Sequence, residues 1–386
     1  MESIKNQITD LASKSDNAGR MEILSALRGL QCSLETPYQT QMRLYDLHFQ
    51  IAMTRVGCDL GLFKTLSESE TPVTVQDLAN KTGAAPQLLG RILRYLASCH
   101  HIAETGTDEF TANNITRALA EPDREGGVHL SFDVCGPVTQ ALPDFLLETK
   151  WQNIVSNTKT AFNLAWKTTL PNFVWLRQQP QFWDYLHKAL QVQHSSDWLS
   201  GFDVEKYLGN WSAQPGDEKV LFVDVGGSMG IQAAGFKRKY PHLAGTVILQ
   251  DMKETVENPE IVKPIEGVEI MAQDFFKPQV IKGAKFYYHR NIFHDYPDER
   301  VLILLKNLLP ALGKESLILI DEKVLPGRGV HKHATTLDIA MMAQVGSLER
   351  TKGQWYQLLE NEGGCKILDI VTYTDEYDSI LVVAPK

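Results

Sequence analysis

The sequence predicts an α/β chain in which a helical N-terminal part, closed by a winged helix, precedes a doubly wound, largely parallel sheet. Three observations predict it. Apolar residues recur three and four apart through the first 60 residues. Residues 60–120 read as helix, turn, helix and hairpin. From about residue 218, short β-rich runs alternate with helical stretches, the pattern of parallel strands joined by crossover helices. A chain of 386 residues is too long for one small domain and suits two. We place the boundary so that 1–120 forms the helical and winged-helix domain and 121–386 the sheet domain with its own helices.

The first region carries LQCSL and then MRLYDLHFQIAMTRVGCDLGLF, whose apolar residues cover much of the helix surface. Such a helix buries against another element or another subunit. VTVQDLANKTG ends on a glycine stop, and AAPQLLGRILRYLASCH places a proline near a helix start. IAETGTDEFTAN gives two short strands around a Gly-Thr-Asp turn. A winged helix raises the question of DNA, but residues 61–120 hold five Lys/Arg against six Asp/Glu. A phosphate-binding face must be basic, so we expect a structural or dimerisation role and no nucleic-acid partner. Residues 121–205 are read as helical and rich in aromatics, among them Trp151, Trp166, Trp175 and Trp183, which serve as core or as the wall of an apolar pocket. His129, in GGVHLSFDV, is a polar group in an apolar helix. It is either a satisfied core histidine or a group facing substrate.

The sheet region offers KVLFVDVGG, GTVILQDM, VEIMAQDFF, AKFYYHRNIF and SLILIDEKVL as strands, with IQAAGFKRKY and ERVLILLKNLLPALG as intervening helices. CKILDIVTYT and DSILVVAPK flank a polar turn and read as an antiparallel hairpin at the sheet's end. Composition bounds the function. A net charge of −9 argues against nucleic acid or an anionic membrane as the main partner. The five cysteines lie far apart with no CxxC spacing, so neither a zinc site nor a disulfide framework is expected, and no metal. The polar N-terminus, and the lack of any run of about 18 apolar residues, lead us to expect a cytoplasmic protein without a membrane partner.

The strongest local signal is Val223-Asp224-Val225-Gly226-Gly227-Ser228-Met229-Gly230, a glycine-rich turn between a strand and a helix. Glycines there permit a tight turn and let a ligand approach the backbone. The spacing is GGxxG, not the GxGxxG of dinucleotide enzymes. Asp251 ends the next strand, 25 residues beyond Gly226, where a carboxylate can accept from both hydroxyls of a ribose. Asp274-Phe275 ends the third strand, where an acid can take an adenine amino group while the ring stacks on the base. Asp224, Asp251 and Asp274 thus stand at three successive strand ends, along the edge where ligands of such sheets bind. Three carboxylates suit a ligand bearing an ammonium and a sulfonium better than one bearing a pyrophosphate. This favours S-adenosylmethionine over NAD.

His294-Asp295 follows the strand AKFYYHRNIF at the same edge, a place suited to a general base at neutral pH. Glu322 ends the next strand and Glu349 lies in SLERTKGQW. Either can hold the imidazole in one tautomer, as the third member of a triad does.

VDVGGSMG, VILQDM, QDFF, FHDYPDE, DEKVLP and SLERTKGQW occur in this order, and together they resemble the plant and fungal caffeate/hydroxyindole-type O-methyltransferases, above all those of fungal secondary metabolism. The resemblance spans about residues 40–386. It implies a Rossmann-like catalytic domain, a winged-helix dimerisation domain and a homodimer acting on a small-molecule substrate. It also implies that Gly226, Asp251, Asp274, Phe275 and Arg290 bind S-adenosylmethionine, that His294 is the base, and that Glu322 and Glu349 flank it. Ser228 replaces a common third glycine, Tyr296 stands where plant members have tryptophan, and Arg290 where they often have lysine. The implied activity is methyl transfer to a hydroxyl of an aromatic or polyketide-like metabolite. Some fungal members of this family are instead pericyclases or dehydratases on polyketide-derived pyridones, which keep the cofactor as a bound charge. The intact His294 and its two glutamates favour methyl transfer, and His129 keeps the alternative open.

Overall fold

A computed structural model describes residues 1–193, 198–214 and 217–386. The chain divides into two compact units, residues 1–133 with 184–189, and residues 134–183 with 190–386. Residues 121–133 and 184–189, which the sequence pattern groups with the sheet domain, thus pack within the first unit.

The first unit opens with three helices, Glu2–Lys14, Asn17–Leu34 and Pro37–Asp59. The second and third are capped, by Asp16 and by a Thr36–Gln39 capping box with Pro37 in the first turn. The winged helix follows. Strands β1 (Val73–Thr74), β2 (Ala103–Gly106) and β3 (Glu109–Thr111) form an antiparallel sheet in the order β1-β3-β2. Helices Val75–Thr82 and Pro86–Ser98 lie between β1 and β2 in the chain. The first of these is stopped by Gly83 at φ +74°. Leu62, Phe63, Leu66, Leu78, Leu89, Leu93 and Phe110 are buried in a single core. Helix Pro122–His129 runs into a π-helical turn, Leu130–Cys135, that begins in this unit.

The second unit is built on seven strands. Those are β4 (Val220–Val225), β5 (Thr246–Asp251), β6 (Val268–Ala272), β7 (Phe286–Arg290), β8 (Leu317–Lys323), β9 (Cys365–Thr372) and β10 (Asp378–Pro385). Their order is β6-β5-β4-β7-β8-β10-β9. The first five are mutually parallel, and β10 runs antiparallel to both β8 and β9. The order reverses at β4, which lies between β5 and β7, so the crevice at the carboxyl ends of these strands is where this topology binds ligands. Central strands β4, β7 and β8 are apolar on both faces because each face is covered. One face packs Val223, Tyr287, Ile318 and Leu381 with Leu304, Leu305 and Trp355. The other packs Phe222, Phe286, Tyr288 and Leu319 with Trp198 and Phe236. Among the described residues, no helix is long and apolar enough to cross a membrane.

Candidate active site

The glycine-rich turn joins β4 to helix Ile231–Lys239 and is shaped by three residues at positive φ: Gly226 (+72°), Ser228 (+49°) and Gly230 (+76°). A Cβ on Gly226 would meet Ile292 Cδ1 at 2.7 Å, and one on Gly227 would meet Asp224 Cγ at 2.5 Å. Glycine is therefore required at both positions by close approach. The amides of Gly226 and Gly227 donate to the carbonyl of Gln250 at 2.7 and 3.1 Å, which ties the turn to β5. Gln250 is itself held by a reciprocal pair of buried amide bonds to Gln279, at 3.0 and 2.8 Å.

The three strand-end carboxylates separate into two kinds. Asp224 is 1% exposed, and its Oδ2 accepts from the Ala233 amide at 3.0 Å, satisfying an orphan donor in the first turn of the helix. Burial pushes its pKa up to about 7, against the pull of that amide. It is a structural cap, and the acidic edge at the cavity holds two of the three expected carboxylates. Asp251 accepts from Ser228 N at 2.9 Å through Oδ2 and from Met252 N at 2.7 Å through Oδ1. Asp274 Oδ1 accepts from Phe276 N at 2.8 Å. Each carboxylate is fixed by backbone donors and keeps lone pairs for a ligand.

A cavity of about 300 Å³ brings together Gly226, Asp251, Asp274 and Phe275. Ile292, Asp295, Tyr296 and Arg300 line it as well, with Asn157, Phe173 and Arg177 from the helical segment before the sheet. Tyr296 meets Phe275 and Phe276 edge-on, at 5.8 and 5.0 Å, and the Arg300 guanidinium lies 4.0 Å above the Phe276 ring. The glycine cradle, the two free-edged carboxylates and the aromatic wall fit an adenosine with a cationic tail.

His294 sits in the 3₁₀ turn Phe293–Asp295 after β7 and is 7% exposed. Its Nδ1 lies 2.7 Å from Glu349 Oε1 and 3.8 Å from Glu322 Oε2. Its Nε2 lies 3.6 Å from Asp295 Oδ1, and Asp295 also lines the cavity. Burial disfavours the charged ring, but Glu322, then Glu349 and Asp295, more than offset it and push the His294 pKa up to about 10. Burial likewise raises Glu322 to about 7 and Asp295 to about 6, with His294 opposing both. Glu322 also shapes the turn that carries the histidine, because its Oε1 accepts from the amides of Ile292, Phe293 and His294 at 2.9, 2.7 and 3.3 Å. The Glu349 amide donates to Asp338 Oδ1 at 2.9 Å, and Arg350 braces the same turn through the carbonyls of Phe293 and Tyr296.

Sequence reasoning named His294, Glu322 and Glu349, and the fold brings them within 4.8 Å of one another. Arg290 pairs within the sheet. Its guanidinium is 3.3 Å from Asp321, whose carboxylate also accepts from Tyr288 at 2.5 Å and Tyr373 at 2.6 Å, and it is not among the residues lining this cavity. The two residues are register partners at the ends of β7 and β8. His129 belongs to the first unit. It is 6% exposed, stacks on Tyr185 at 4.6 Å, and sets Nδ1 3.3 Å from Asp133, which also binds Arg55. Phe173 belongs to the aromatic set expected as core or pocket wall, whereas Asn157, Arg177 and Arg300 carry no signal in the sequence. No motif marks these three, because their side-chain directions depend on how the segment before the sheet and the helix Asp298–Leu308 pack.

Residues 217–364 match the model of the O-methyltransferase domain, and residues 42–120 match that of the O-methyltransferase dimerisation domain. The chain belongs to the O-methyltransferase family. This family uses S-adenosylmethionine. The chain is 51% identical over 379 residues to the 16-O-methyltransferase bsc6 of Alternaria brassicicola, covering 98% of this chain and 94% of that one. Among solved structures it is similar to LepI in complex with SAM, with a TM-score of 0.95 and 40% identity, covering 100% of this chain and 98% of that one. It is equally similar to a structure described as a pericyclic reaction enzyme, with a TM-score of 0.94 and 40% identity over 100% of this chain and 99% of that one. Family members thus include both methyltransferases and a pericyclic enzyme, on one arrangement of strands and helices.

Proposed function

We propose that this O-methyltransferase family member methylates a hydroxyl of an aromatic or polyketide-like metabolite, as a homodimer, with His294 as the general base. The observation that carries the reading is the His294–Glu349 hydrogen bond of 2.7 Å, made beside Glu322 and next to a cavity holding Gly226, Asp251, Asp274 and Phe275. When bound, S-adenosylmethionine supplies an electrophilic methyl group on a cationic sulfur. Asp251 accepts from the ribose hydroxyls, Asp274 from the adenine amino group, and Phe275 covers the base. Glu349 holds the proton on His294 Nδ1, which leaves Nε2 to receive the proton of the substrate hydroxyl. Glu322 and Glu349 stabilise the imidazolium so formed.

The raised His294 pKa has a consequence for this reading. In the unliganded protein the surrounding carboxylates favour the charged ring over the burial that opposes it. His294 beside a bound cation would have its pKa lowered by like-charge repulsion, which would favour the free base. The same ring, kept charged, suits the second reading, in which substrate rearranges without methyl transfer. That reading is supported by the likeness to a pericyclic reaction enzyme.

Mass spectrometry on an aromatic or polyketide-type hydroxylated substrate tests both. Methyl transfer adds about 14 mass units and yields adenosylhomocysteine. An unchanged mass with intact cofactor and altered chromatographic retention rejects it in favour of rearrangement.

A further inference from the structure

One side of the cavity takes no part in the proposed chemistry. Arg177, exposed at the end of helix Asn172–Leu176, and Arg300, half-buried in helix Asp298–Leu308, both line it, together with Asn157 and Tyr296. All four belong to the second unit. Neither guanidinium has a carboxylate partner among the described residues. The acids of the cavity are engaged elsewhere. Asp251 and Asp274 accept backbone amides, and Asp295 faces His294 at 3.6 Å. Each arginine rests instead on an aromatic ring. The Arg300 guanidinium lies 4.0 Å from the centre of Phe276, and that of Arg177 5.4 Å from Trp183. Stacking orients the plane of a guanidinium and leaves its N–H edge for an acceptor. The Arg300 Nε is buried with no hydrogen-bond partner among the described residues. A buried donor of this kind costs free energy until an acceptor arrives.

We propose that Arg177 and Arg300 bind an ionised acid on the substrate, so that the hydroxylated metabolite also carries a carboxylate or an acidic enol. The inference deepens the substrate class given under the proposed function and rests on it. A neutral substrate closing over this side strips water from two cations and leaves both unpaired. An anion pairs with both, and a carboxylate matches the planar fork of a guanidinium. Burial, with Asp295 adding to it and Arg177 and Arg300 opposing, holds the Tyr296 phenol well above its ordinary pKa. Tyr296 therefore stays protonated and supplies a third donor. It follows His294 by two residues, so a substrate with its hydroxyl at His294 and its acid at the arginines runs along one turn. The cofactor's own carboxylate is the other source of such an anion. Arg300 stands on Phe276, whose ring centre is 4.9 Å from that of Phe275, the ring proposed to cover the base. The cofactor carboxylate belongs to the opposite end of that molecule, which favours the substrate.

Calorimetry on the full chain saturated with adenosylhomocysteine tests this, with a hydroxynaphthoate and its methyl ester as probes. The wild-type protein is expected to bind the acid at least about tenfold more tightly than the ester, a comparison that needs no variant to fold. Arg177→Gln/Arg300→Gln should abolish that preference, while the dissociation constant for S-adenosylmethionine stays near the wild-type value and certifies the fold. Equal affinity for acid and ester, binding of neither, or a preference that survives in the double variant overturns the proposal. A weakened S-adenosylmethionine complex with the preference unchanged also overturns it, because the arginines then serve the cofactor's carboxylate. Mass spectrometry on the same two probes keeps this apart from methyl transfer. Preferred binding of the acid without an added methyl group rejects methyl transfer and leaves the anion site standing. Methylation of both probes at equal affinity rejects the anion site and leaves methyl transfer standing.

Discussion

The candidate site holds its acids in two opposite ways, one group at the cavity's glycine-turn end and one cluster beside the cavity. At the glycine-turn end, Asp251 and Asp274 are gripped by backbone amides of Ser228, Met252 and Phe276, so position is set before any ligand arrives. At the turn after β7, His294, Glu322, Glu349 and Asp295 are crowded into a buried cluster, and their charges shift one another. On the proposed function, the first group serves recognition by geometry and the second moves a proton through electrostatics. Substitutions should therefore separate the two groups.

The largest effect is expected from His294→Ala. Turnover should fall by about 10²- to 10⁴-fold, while the calorimetric dissociation constant for S-adenosylmethionine stays near the wild-type value. Retained turnover removes His294 from the chemistry. Asp251→Asn should do the reverse. Losing a charged acceptor weakens cofactor binding by about 1.5–3 kcal/mol, roughly 10- to 150-fold, with kcat at saturating cofactor little changed. If kcat collapses instead, the two groups are not independent.

A third substitution, Glu322→Gln, sharpens the contrast because the amide oxygen can still accept from the turn while the charge is gone. Among the anions that raise the His294 pKa, Glu322 has the strongest influence. Its neutralisation therefore lowers that pKa. In the wild-type protein the base is deprotonated only as pH climbs, so kcat/KM is expected to rise with pH and to level off below the unliganded value of about 10, since a bound cation lowers the His294 pKa. In Glu322→Gln the rise should begin at lower pH, with a drop of about tenfold at the plateau, one step of 1.4 kcal/mol. Superimposable pH profiles would mean that Glu322 serves the turn alone. The smallest effect is expected from Gly226→Ala, whose Cβ would press on Ile292. A loss of about 1–3 kcal/mol in denaturant unfolding with weakened cofactor binding checks the cradle.

Much of this architecture was legible in the order of residues. The strands were readable because apolar runs such as VLFVDV and LILIDEK are bounded by turn residues, and a buried parallel strand needs just that. The winged helix was readable from Gly83, Pro86 and the Gly-Thr-Asp turn, where Asp108 adopts φ +55°. The pairing of His294 with glutamates 28 and 55 residues away was less so, because no local period links residues that meet only in the tertiary fold, Glu322 from β8 and Glu349 from the segment after helix Lys332–Val345. Arg290 illustrates the limit. Its type and position resemble a cofactor contact, and no motif announces its pairing with Asp321, its partner in the sheet register.

Local pattern thus carried the class of fold, the glycine turn and the candidate carboxylates, since helix and strand periods, caps and tight turns are short-range steric facts. Which of those carboxylates meets a ligand was decided by packing. Asp224 and Asp251 both stand at strand ends, but the first turns inward to a helix amide and the second faces the cavity. A side chain's direction and the charges around it depend on neighbours distant in the chain, and those neighbours come together only when the sheet closes over its helices.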